Sequence, residues 1–491
     1  MTTSIMQKQG NTMNASTRVR APELPANLKW YNTDKPLTLR SQRGKAVLLA
    51  FWTASSVNCQ HVFRDLHYLQ KKYPETLTVI GIHTPRFASE QRGKQLQKAI
   101  NRHHLRHPIA NDPEFHLWRA YGVKAWPSFV LIDPAGDVVG LTRGEGRREQ
   151  LDELIAKQIA AAEARGLLVP SPTQLAPRPE PQGELSFPGR VLATRQQLYI
   201  SDSGRNRVLE TYYDGRIRRV FGCTTAGFLD GNEEAAMFDS PQGLALAGDY
   251  IYVADTGNHA IRRIHIKSGD ILTVAGTGKQ GRYTADSFRD ALHAQLNSPR
   301  DLACYESTLY VAMAGQHQIW NMNLNHMGIA RYAGLGRGDL VDGTLAQACF
   351  AQPSGIDMYN GRLLVIDAES SALRAIELST GSVSTLVGRG LFDFGDREGV
   401  GSDARLQYPL DIAVDAEAGI AWIVDTLNSR IKRVDLATRQ VTKFRIGYDL
   451  DEPGGLSLYR GKLYIANTNA HEIVVLDLKS RILEVLNVRP A

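Results

Sequence analysis

The four cysteines are the residues of this chain with the most reactive side chains, and their spacing restricts what they can do. They are Cys59, Cys223, Cys304 and Cys349. Their positions show no metal-ligand spacing, and four thiols scattered over 491 residues do not form a disulfide framework. The sequence therefore predicts no metal site and no cofactor. Cys59 stands apart because it opens a predicted helix after an apolar run, where helix N–H groups can activate a thiol.

Two groups of polar side chains are candidates for ion binding. Aspartates recur at one place of a repeated segment, at Asp202, Asp255, Asp367 and Asp425. A ring of them could hold a cation, but each precedes a turn, where Asp accepts hydrogen bonds from nearby backbone N–H groups, so a structural role is predicted. The segment RHHLRH, residues 102–107, has no Cys or carboxylate cluster beside it, and we predict a solvated basic loop.

Length and composition narrow the class of protein. At roughly 100–200 residues a domain, 491 residues make more than one domain. The net charge of +6 does not demand a nucleic-acid partner, and no apolar run approaches the ~20 residues of a membrane span. Residues 1–20 are polar, lack the apolar core of a signal peptide and are predicted to be disordered. A cytoplasmic location follows as an expectation.

Residues 21–166 alternate strand-like and helix-like segments. Apolar runs predict strands buried on both faces at residues 45–52 and 76–83, and a hairpin over residues 127–140. The helical spacing of apolar residues predicts helices over residues 59–73, 90–102 and 149–166. This order of elements predicts an α/β layered domain.

A repeat array follows residues 167–186, a linker in which residues 170–181 contain five prolines. Over residues 187–491 a unit recurs as LYISDSGRNRV, IYVADTGNHAI, LYVAMAGQHQI, LLVIDAESSAL, AWIVDTLNSRI and LYIANTNAHEI. Four short strands in each of six units predict an all-β six-bladed propeller. The units closely resemble the NHL repeat, most clearly in DTGNHAIRRI and DTLNSRIKRV. Met313 departs from the pattern by replacing the aspartate of the third unit, and residues 369–371 depart from it in the fourth.

The first domain resembles thioredoxin-like proteins. FWTASSVNCQ, residues 51–60, lies where that fold carries its Trp-x-x-x-Cys-x-x-Cys element, and YGVKAWPSFVLIDPAG matches the region of its cis-proline. The resemblance implies a groove lined by Trp52, Trp126 and a cis-Pro127. It places Ser56 where the attacking cysteine belongs and Cys59 at the second cysteine.

Serine at position 56 argues against dithiol chemistry, because helix amides activate a thiol and a hydroxyl gains little from the same field. The main hypothesis is therefore a thioredoxin-like fold without dithiol turnover. The alternatives are a thiol–disulfide oxidoreductase with an external thiol and a redox sensor that forms a mixed disulfide or sulfenic acid at Cys59. His83 ends the second strand, where it either orients a ligand or tunes the reactivity of Cys59, or else caps the strand and is solvated.

The pairing of these two domains resembles the NHL-repeat-containing protein 2 family, as do the segments FWTASSVNCQHVFRDLHYLQ and IGIHTPRF. In that family the motif often reads Cys-Cys-x-Asn-Cys, whereas residues 55–59 here read Ser-Ser-Val-Asn-Cys. The animal members continue into a C-terminal β-domain, and we expect this chain to end after its sixth blade.

Loop length indicates the binding surface. Four connections between units are long, at residues 222–238, 276–296, 334–350 and 388–406. They leave the propeller at one face, here named the long-loop face, where Asp230, Asp342 and Asp396 are the candidate binding residues. The predicted function is a cytoplasmic interaction or scaffold protein whose partner is a protein or a small ligand.

Two further readings concern the propeller. Basic pairs at residues 218–219, 262–263 and 432–433 could contact nucleic-acid phosphates, but interspersed acidic residues favour solvated blade edges. Some six-bladed propellers catalyse hydrolysis or lactone chemistry with a calcium ion in the channel, and no motif here singles that out.

Overall fold

The computed structural model describes residues 19–176, 183–281, 287–288 and 290–491. The predicted disordered segment, residues 1–20, lies outside the described residues except for Val19 and Arg20, which form a short strand. Residues 177–182 of the predicted linker also lie outside them. The chain divides into two compact units between residues 178 and 179.

The first unit is a mixed sheet with helices packed on both of its faces. Its strands are β1 (Val19–Arg20), β2 (Lys29–Tyr31), β3 (Ala46–Trp52), β4 (Leu77–His83), β5 (Ile109–Asn111), β6 (Ser128–Ile132) and β7 (Asp137–Arg143). Its helices are α1 (Val57–Lys72), α2 (Gly93–Arg102), α3 (His116–Ala120) and α4 (Arg148–Glu163). The strand order is β1-β7-β6-β3-β4-β5-β2, with β3 parallel to β4 and antiparallel to β6.

The two central strands explain why this sheet forms. Every residue of β3 and β4 is buried, so the continuous apolar runs read from the sequence are strands covered on both faces. Alternate residues of β3 serve opposite cores: Leu48 packs with the α1 residues Val62 and Leu66, whereas Leu49 packs on the other face with Leu117 of α3. Residues 53–56 connect the carboxyl end of this buried strand to the start of α1.

The helix expected over residues 90–102 begins later than predicted. Residues Ala88–Gln91 form a 3₁₀ turn, and α2 starts only at Gly93. The reason is that the Glu90 side chain folds back onto the backbone N–H groups of Arg86 and Phe87. Sequence reasoning also missed β2, β5 and α3, which are short.

The proline-rich segment runs back along the first unit. Val169 donates its backbone N–H to Gly44, and Ser171 donates to Glu75. Ala176 donates to Asn32 at the far end of this segment. Backbone pairing thus holds the segment up to Ala176 against the first unit.

The second unit consists of six antiparallel sheets, each with four consecutive strands. Blade 1 contains β8 (Pro188–Ala193), β9 (Leu198–Asp202), β10 (Arg207–Thr211) and β11 (Ile217–Phe221); blade 2 contains β12 (Pro241–Ala247), β13 (Tyr250–Asp255), β14 (Ala260–His265) and β15 (Ile271–Ala275). Blade 3 contains β17 (Pro299–Tyr305), β18 (Thr308–Met313), β19 (Gln318–Asn323) and β20 (Ile329–Ala333), with β16 (Ser287–Phe288) at its outer edge.

The last three blades repeat this plan. Blade 4 contains β22 (Pro353–Tyr359), β23 (Arg362–Asp367), β24 (Ala372–Glu377) and β25 (Ser382–Val387), with β21 (Gly343–Thr344) outside. Blade 5 contains β27 (Asp411–Asp415), β28 (Ile420–Asp425), β29 (Arg430–Asp435) and β30 (Gln440–Phe444), with β26 (Gly399–Val400) outside. Blade 6 contains β31 (Gly455–Tyr459), β32 (Lys462–Asn467), β33 (Glu472–Asp477) and β34 (Leu483–Val485). The six-bladed propeller predicted from the repeats is confirmed.

The first strands of the blades form a closed ring, in which β31 of blade 6 lies against β8 of blade 1. The chain end reinforces this closure, because Ile217 of β11 donates its N–H to Arg489 at 2.8 Å. Both ends of the propeller therefore meet in blade 1, as a ring whose blades bury their faces on each other requires.

Charged side chains fill the centre of this ring. The third position of each first-strand segment is occupied in turn by Arg190, Gly243, Asp301, Gly355, Asp411 and Gly455. The glycines make room for the charged neighbours, since a Cβ on Gly243 would lie 2.5 Å from Asp301 Oδ1 and one on Gly455 2.8 Å from Arg190 Cδ. The guanidinium of Arg190 lies 3.4 Å from the Asp411 carboxylate and donates to the backbone of Leu410. The centre of the ring therefore contains the positively charged side chain of Arg190, held by these contacts.

Candidate functional site

The loop between β3 and α1 carries the residues assigned to catalysis. Ser56 is the N-cap of α1, and its hydroxyl accepts the backbone N–H of Cys59 at 3.3 Å. This is the cap geometry that serine favours, with the hydroxyl satisfying one of the free N–H groups of the first turn. Ser56 therefore occupies the position predicted for an attacking thiol, but its oxygen supports the helix.

Cys59 lies inside the first unit. Its side chain is 0% exposed. Burial raises the pKa of the Cys59 thiol to about 12, and the carboxylates of Glu90 and Glu145 add to the rise, while contacts with Thr53 and Ser56 oppose it. A thiol of this kind is uncharged near neutral pH, so the nucleophilic thiolate is almost absent.

A buried carboxylate that sequence reasoning missed fastens this loop. Glu90 accepts hydrogen bonds from the Thr53 hydroxyl and the Ser55 backbone N–H, each at 2.9 Å. It also accepts the backbone N–H groups of Arg86 and Phe87 at 2.8 and 2.9 Å. We call this arrangement the Glu90 clamp. No local pattern signals it, because its donors lie both 35–37 residues upstream and within the same turn.

Trp126 is the partly exposed residue of the predicted groove, and Pro127 beside it is buried. The peptide bond between them is cis, as the resemblance implied. Trp126 is half-buried and packs against Trp118 with ring centroids 4.6 Å apart and ring planes tilted by 43°. It donates its indole N–H to Thr84 Oγ1 at 2.7 Å. Phe115 packs edge-on against it at 6.3 Å. The structure thus adds Phe115, Trp118 and Thr84 to the two residues chosen from the sequence.

Two other predicted groove residues are buried. The Trp52 ring packs between Phe63 and His83 and is 1% exposed. The solvated strand cap predicted for His83 is wrong, because His83 is fully buried with its Nδ1 2.9 Å from Asn111 Oδ1. Burial lowers the pKa of His83, so the ring is neutral near pH 7. Trp52 and His83 support the groove from below.

The basic loop predicted at residues 102–107 is also partly wrong. His107 is 3% exposed, and burial lowers its pKa to about 4. Leu105 is buried beside it, while Arg106 is exposed. The segment turns two of its side chains into the core, because it leads directly into the buried strand β5.

On the propeller, Asp230 of the first long loop is held by a buried arginine. Arg262 of β14 donates to Asp230 at 2.8 Å and to Asp255 at 3.0 Å. The same guanidinium donates to the backbone oxygens of Leu229 and Met237, so it holds the loop at these two residues. We call this arrangement an Asp–cation–Asp clamp.

The same clamp recurs in blades 4 and 5. Arg374 joins Asp342 at 2.9 Å to Asp367 at 3.5 Å. Lys432 joins Asp396 to Asp425, which lies 3.7 Å from its Nζ. All three predicted binding aspartates therefore hold long loops onto the following blade, and each keeps a quarter to a half of its side chain exposed.

The clamps overturn the prediction of solvated blade edges for the basic pairs at residues 262–263 and 432–433. In the third pair, Arg218 stays 41% exposed, and both Arg218 and Arg219 pair with the buried Glu210. Arg262 and Lys432 are 0% exposed, because alternate residues of the third strand face the blade interior. Their neighbour Arg263 is half-buried and stacks over the ring of Tyr250 at 4.7 Å. The recurrence of Asp and Arg seven residues apart in blades 2 and 4 was the sequence signal that could have revealed the pairing.

The recurrent aspartates have a structural role, but the predicted bonds to the following turn are wrong, because Asp202, Asp255 and Asp425 make no side-chain cap hydrogen bond there. Asp255 Oδ1 accepts the N–H of Asp239 at 2.8 Å, and Asp367 Oδ1 accepts that of Ala351 at 2.6 Å. The donors precede the first strand of the same blade. Among the described residues, no group of three or more His, Cys, Asp or Glu side chains is arranged to hold a metal ion.

The geometry defines a class of protein: a thioredoxin-like unit with one buried thiol, joined to a six-bladed NHL propeller with clamped loops. The thioredoxin-like family model matches residues 44–138, and the NHL repeat model matches residues 238–264. NHL repeat-containing protein 2 from Gallus gallus is 34% identical over 518 residues, which cover 95% of this chain and 71% of that protein. The chain belongs to the NHL repeat-containing protein 2 family.

A second relative also matches most of this chain. Protein SUPPRESSOR OF QUENCHING 1, chloroplastic, from Arabidopsis thaliana is 36% identical over 499 residues, which cover 94% of this chain but 47% of that protein. The chain thus spans about half of that relative. Among solved structures, a thioredoxin-like superfamily protein is 26% identical, with 29% of this chain and 96% of that chain covered and a TM-score of 0.28. In the described part of the chain, no helix is long and apolar enough to cross a membrane.

Proposed function

We propose that this is a two-domain interaction protein whose thioredoxin-like unit binds without dithiol turnover and whose propeller binds a partner on the long-loop face. The observation that carries the first half is the state of Cys59, which is buried with a pKa raised to about 12. Ser56 adds to it, because its oxygen is engaged as the cap of α1. Thiol–disulfide exchange needs an accessible thiolate, and this loop does not offer one.

We assign ligand binding in the groove to Trp126, beside the buried Pro127. Trp126 is positioned by the Thr84 hydroxyl and by Trp118, so its ring offers a prearranged apolar surface next to Pro127. Rigid aromatic side chains bind with little loss of conformational entropy. An extended peptide segment with an apolar side chain is the ligand that suits this edge.

The propeller half rests on the three Asp–cation–Asp clamps, which hold long loops in fixed positions. The same loops expose large apolar side chains: Leu229, Leu335 and Val400 are each about half exposed, at 50%, 51% and 50%. Exposed apolar groups on loops held by a rigid scaffold are typical of binding surfaces. A protein is the favoured partner and a small ligand the alternative. Nucleic acid is disfavoured, because Arg262 and Lys432 are committed to the clamps.

The test is capture of partners by the full-length protein under cross-linking. Leu229→Ser with Leu335→Ser changes the long-loop face, and Leu246→Ser with Ile482→Ser is the matched control at hairpin turns on the other ends of the blades, where the leucine and isoleucine are 42% and 68% exposed. We expect the wild type and the control to capture the same partner and the long-loop variant to lose it. Retention by the long-loop variant would place the binding surface elsewhere.

The redox alternative is tested by insulin reduction with the wild type and with Ser56→Cys. The proposal expects no turnover by the wild type. Turnover that disappears in Cys59→Ser would establish the oxidoreductase reading instead. We also propose that the protein acts in the cytoplasm without a cofactor, in keeping with its four free thiols.

A further inference from the structure

Neighbouring blades are joined by a hydrogen bond that recurs at all six seams of the ring. After the turn between the second and third strands of each blade, one residue adopts a left-handed φ between 50° and 60°. Its side chain accepts the backbone N–H of a residue just before the first strand of the next blade. The acceptors are Asn206, His259, His317, Ser371, Ser429 and His471, and the donors in the same order are Ser240, Ser298, Gln352, Tyr408, Glu452 and Phe187. We call these contacts the seam bonds.

Three seam bonds use histidine and three do not. His259, His317 and His471 accept through Nδ1 at 3.0, 3.1 and 3.0 Å. An imidazole nitrogen accepts a hydrogen bond only while it is unprotonated, and in the imidazolium ion both ring nitrogens are donors. A serine hydroxyl or an asparagine oxygen accepts at every pH. The same seam is therefore built in two chemical versions, one of which depends on protonation.

The seam bond of His471 closes the ring. Its donor, Phe187, lies 284 residues upstream and leads into the first strand of blade 1. The Phe187 ring also packs edge-on against the imidazole, with centroids 4.3 Å apart. Protonation of His471 would set a ring N–H against a backbone N–H at the contact that joins the two ends of the propeller.

The charged groups on the elements packed around His471 already have partners. Glu452, on the segment before β31, accepts from the Asn469 amide at 2.8 Å. Glu472 accepts from Tyr448 and Asn467, and Glu184 on the blade 1 side pairs with Arg207 at 2.8 Å.

The other two histidine seams have their own charged surroundings. Near His259 the carboxylate of Asp255 pairs with Arg262, and Asp239 lies on the facing segment beside Gly257. The long loop against His317 carries Arg337 and Asp339, which pair with each other at 3.3 Å.

We propose that the histidine seam bonds make the propeller ring sensitive to acid. Protonation of these imidazoles at acid pH breaks the seam bonds after blades 2, 3 and 6, while the seam bonds after blades 1, 4 and 5 persist. Because the seam bonds lie at the ends of the blades from which the long loops emerge, acidification loosens the long-loop face. The device is independent of which partner that face binds.

The experiment is hydrogen exchange of the full-length protein at pH 7.0 and pH 5.0, with rates corrected for intrinsic exchange. Loss of one hydrogen bond corresponds to about a tenfold loss of protection. We expect that loss at the amides of Ser298, Gln352 and Phe187, and no loss at Tyr408 and Glu452. Titration of the buried aspartates changes the stability of the whole propeller and therefore affects all six seams. A difference in protection between histidine seams and serine seams of the same molecule is then due to the histidines.

Matched variants should remove the acid-induced loss of protection from a histidine seam and introduce it at a serine seam. His471→Ser copies the seam of Ser429 and should abolish the acid-induced loss at Phe187, and His471→Asn, which copies Asn206, serves if the serine variant does not fold. Ser429→His should create the loss at Glu452. Parallel loss of protection at histidine and serine seams, or an unchanged pH dependence at Phe187 in either His471 variant, would overturn the proposal.

Discussion

Both units of this protein hold surface loops with buried carboxylates, but they satisfy those carboxylates differently. Glu90 in the first unit accepts only neutral donors, a hydroxyl and backbone N–H groups. Asp255 in the propeller accepts a backbone N–H and faces the buried guanidinium of Arg262. The Glu90 clamp orders one loop inside one unit, whereas the Asp–cation–Asp clamp joins a loop to the blade that follows it.

Blade 3 has other residues at the two positions that form the buried ion pair of the clamp in blade 2. At the position of Asp255 it has Met313, and at the position of Arg262, which the strand register makes equivalent, it has Trp320. Both side chains are fully buried. The aspartate and the cation are thus exchanged together for an apolar pair. A buried ion pair and a largely apolar pair can therefore fill the same place in a blade.

The largest effect we expect comes from breaking one propeller clamp. Arg262→Met leaves Asp255 buried without its cation, and removing one partner of a buried pair costs about 3–5 kcal/mol. Urea unfolding of the propeller measures this loss. Arg263→Met, next to it and half-buried, is the control and should cost under about 1 kcal/mol.

A double variant examines the reason for that loss. Asp255→Met with Arg262→Trp copies blade 3 into blade 2 and should recover the part of the stability that Arg262→Met loses to the unpaired carboxylate of Asp255. A deficit remains, because the Asp239 N–H loses its acceptor and the Leu229 and Met237 carbonyls lose their donor, at about 1 kcal/mol for each hydrogen bond. A double variant no more stable than Arg262→Met would show that blade 2 cannot accommodate the apolar pair.

The second prediction concerns the Glu90 clamp. Glu90→Gln places an amide N–H against donors that need an acceptor, and hydrogen bonds to a charged group are worth about 1.5–3 kcal/mol. We expect the loop at residues 53–56 to open and the alkylation of Cys59 at pH 8 to accelerate at least tenfold. Glu153→Gln, exposed on α4 of the same unit, is the matched control and should leave alkylation at the wild-type rate.

The third prediction is a pH dependence that the propeller clamp introduces. Burial, opposed by Arg262, raises the pKa of Asp255 from 3.8 to about 7. The folded state therefore holds a proton that the unfolded chain releases, so the stability from this group is complete below about pH 4 and is lost as the pH rises to about 7. Between these values wild-type stability should fall by up to about 1.4 kcal/mol per pH unit relative to Asp255→Asn. Superimposable slopes for the two proteins would refute the shift.

The smallest effect should come from the exposed end of the clamp. Asp230→Asn keeps one oxygen for the Thr273 N–H but loses the charge that faces Arg262, and its carboxylate is 43% exposed. We expect a loss of about 1 kcal/mol or less. Faster hydrogen exchange confined to residues 223–238 is the readout. A loss as large as that of Arg262→Met would mean that Asp230, rather than Asp255, is the main partner of the arginine.

Much of the fold was predictable, because it rests on periodic patterns. Each apolar run predicts one buried strand, β3 or β4, and each recurring unit predicts one blade of four strands. The structure contains both the layered sheet and the six blades. The cap role of Ser56 was also within reach, since serine before a helix is a local signal. The boundaries of α2 were not, because Glu90 draws the backbone of residues 86 and 87 into its clamp.

The candidate site was predicted in position but not in chemistry. Trp126, Pro127 and Ser56 lie where the resemblance placed them. The solvated roles given to His83, Arg262 and Lys432 failed, because the exposure of a polar residue depends on which element covers it. A charged residue on a strand is buried when its partners arrive from a loop some 30 residues away.

By itself, the sequence determined the two kinds of domain, the number of blades and the absence of a thiol at position 56, because each depends only on residue identity and period. Tertiary structure alone decided that Cys59 is buried, that Glu90 holds its loop and that three long loops are fastened by buried cations. Those outcomes depend on groups that lie up to 37 residues apart in the chain, which only the folded sheets bring within hydrogen-bond distance.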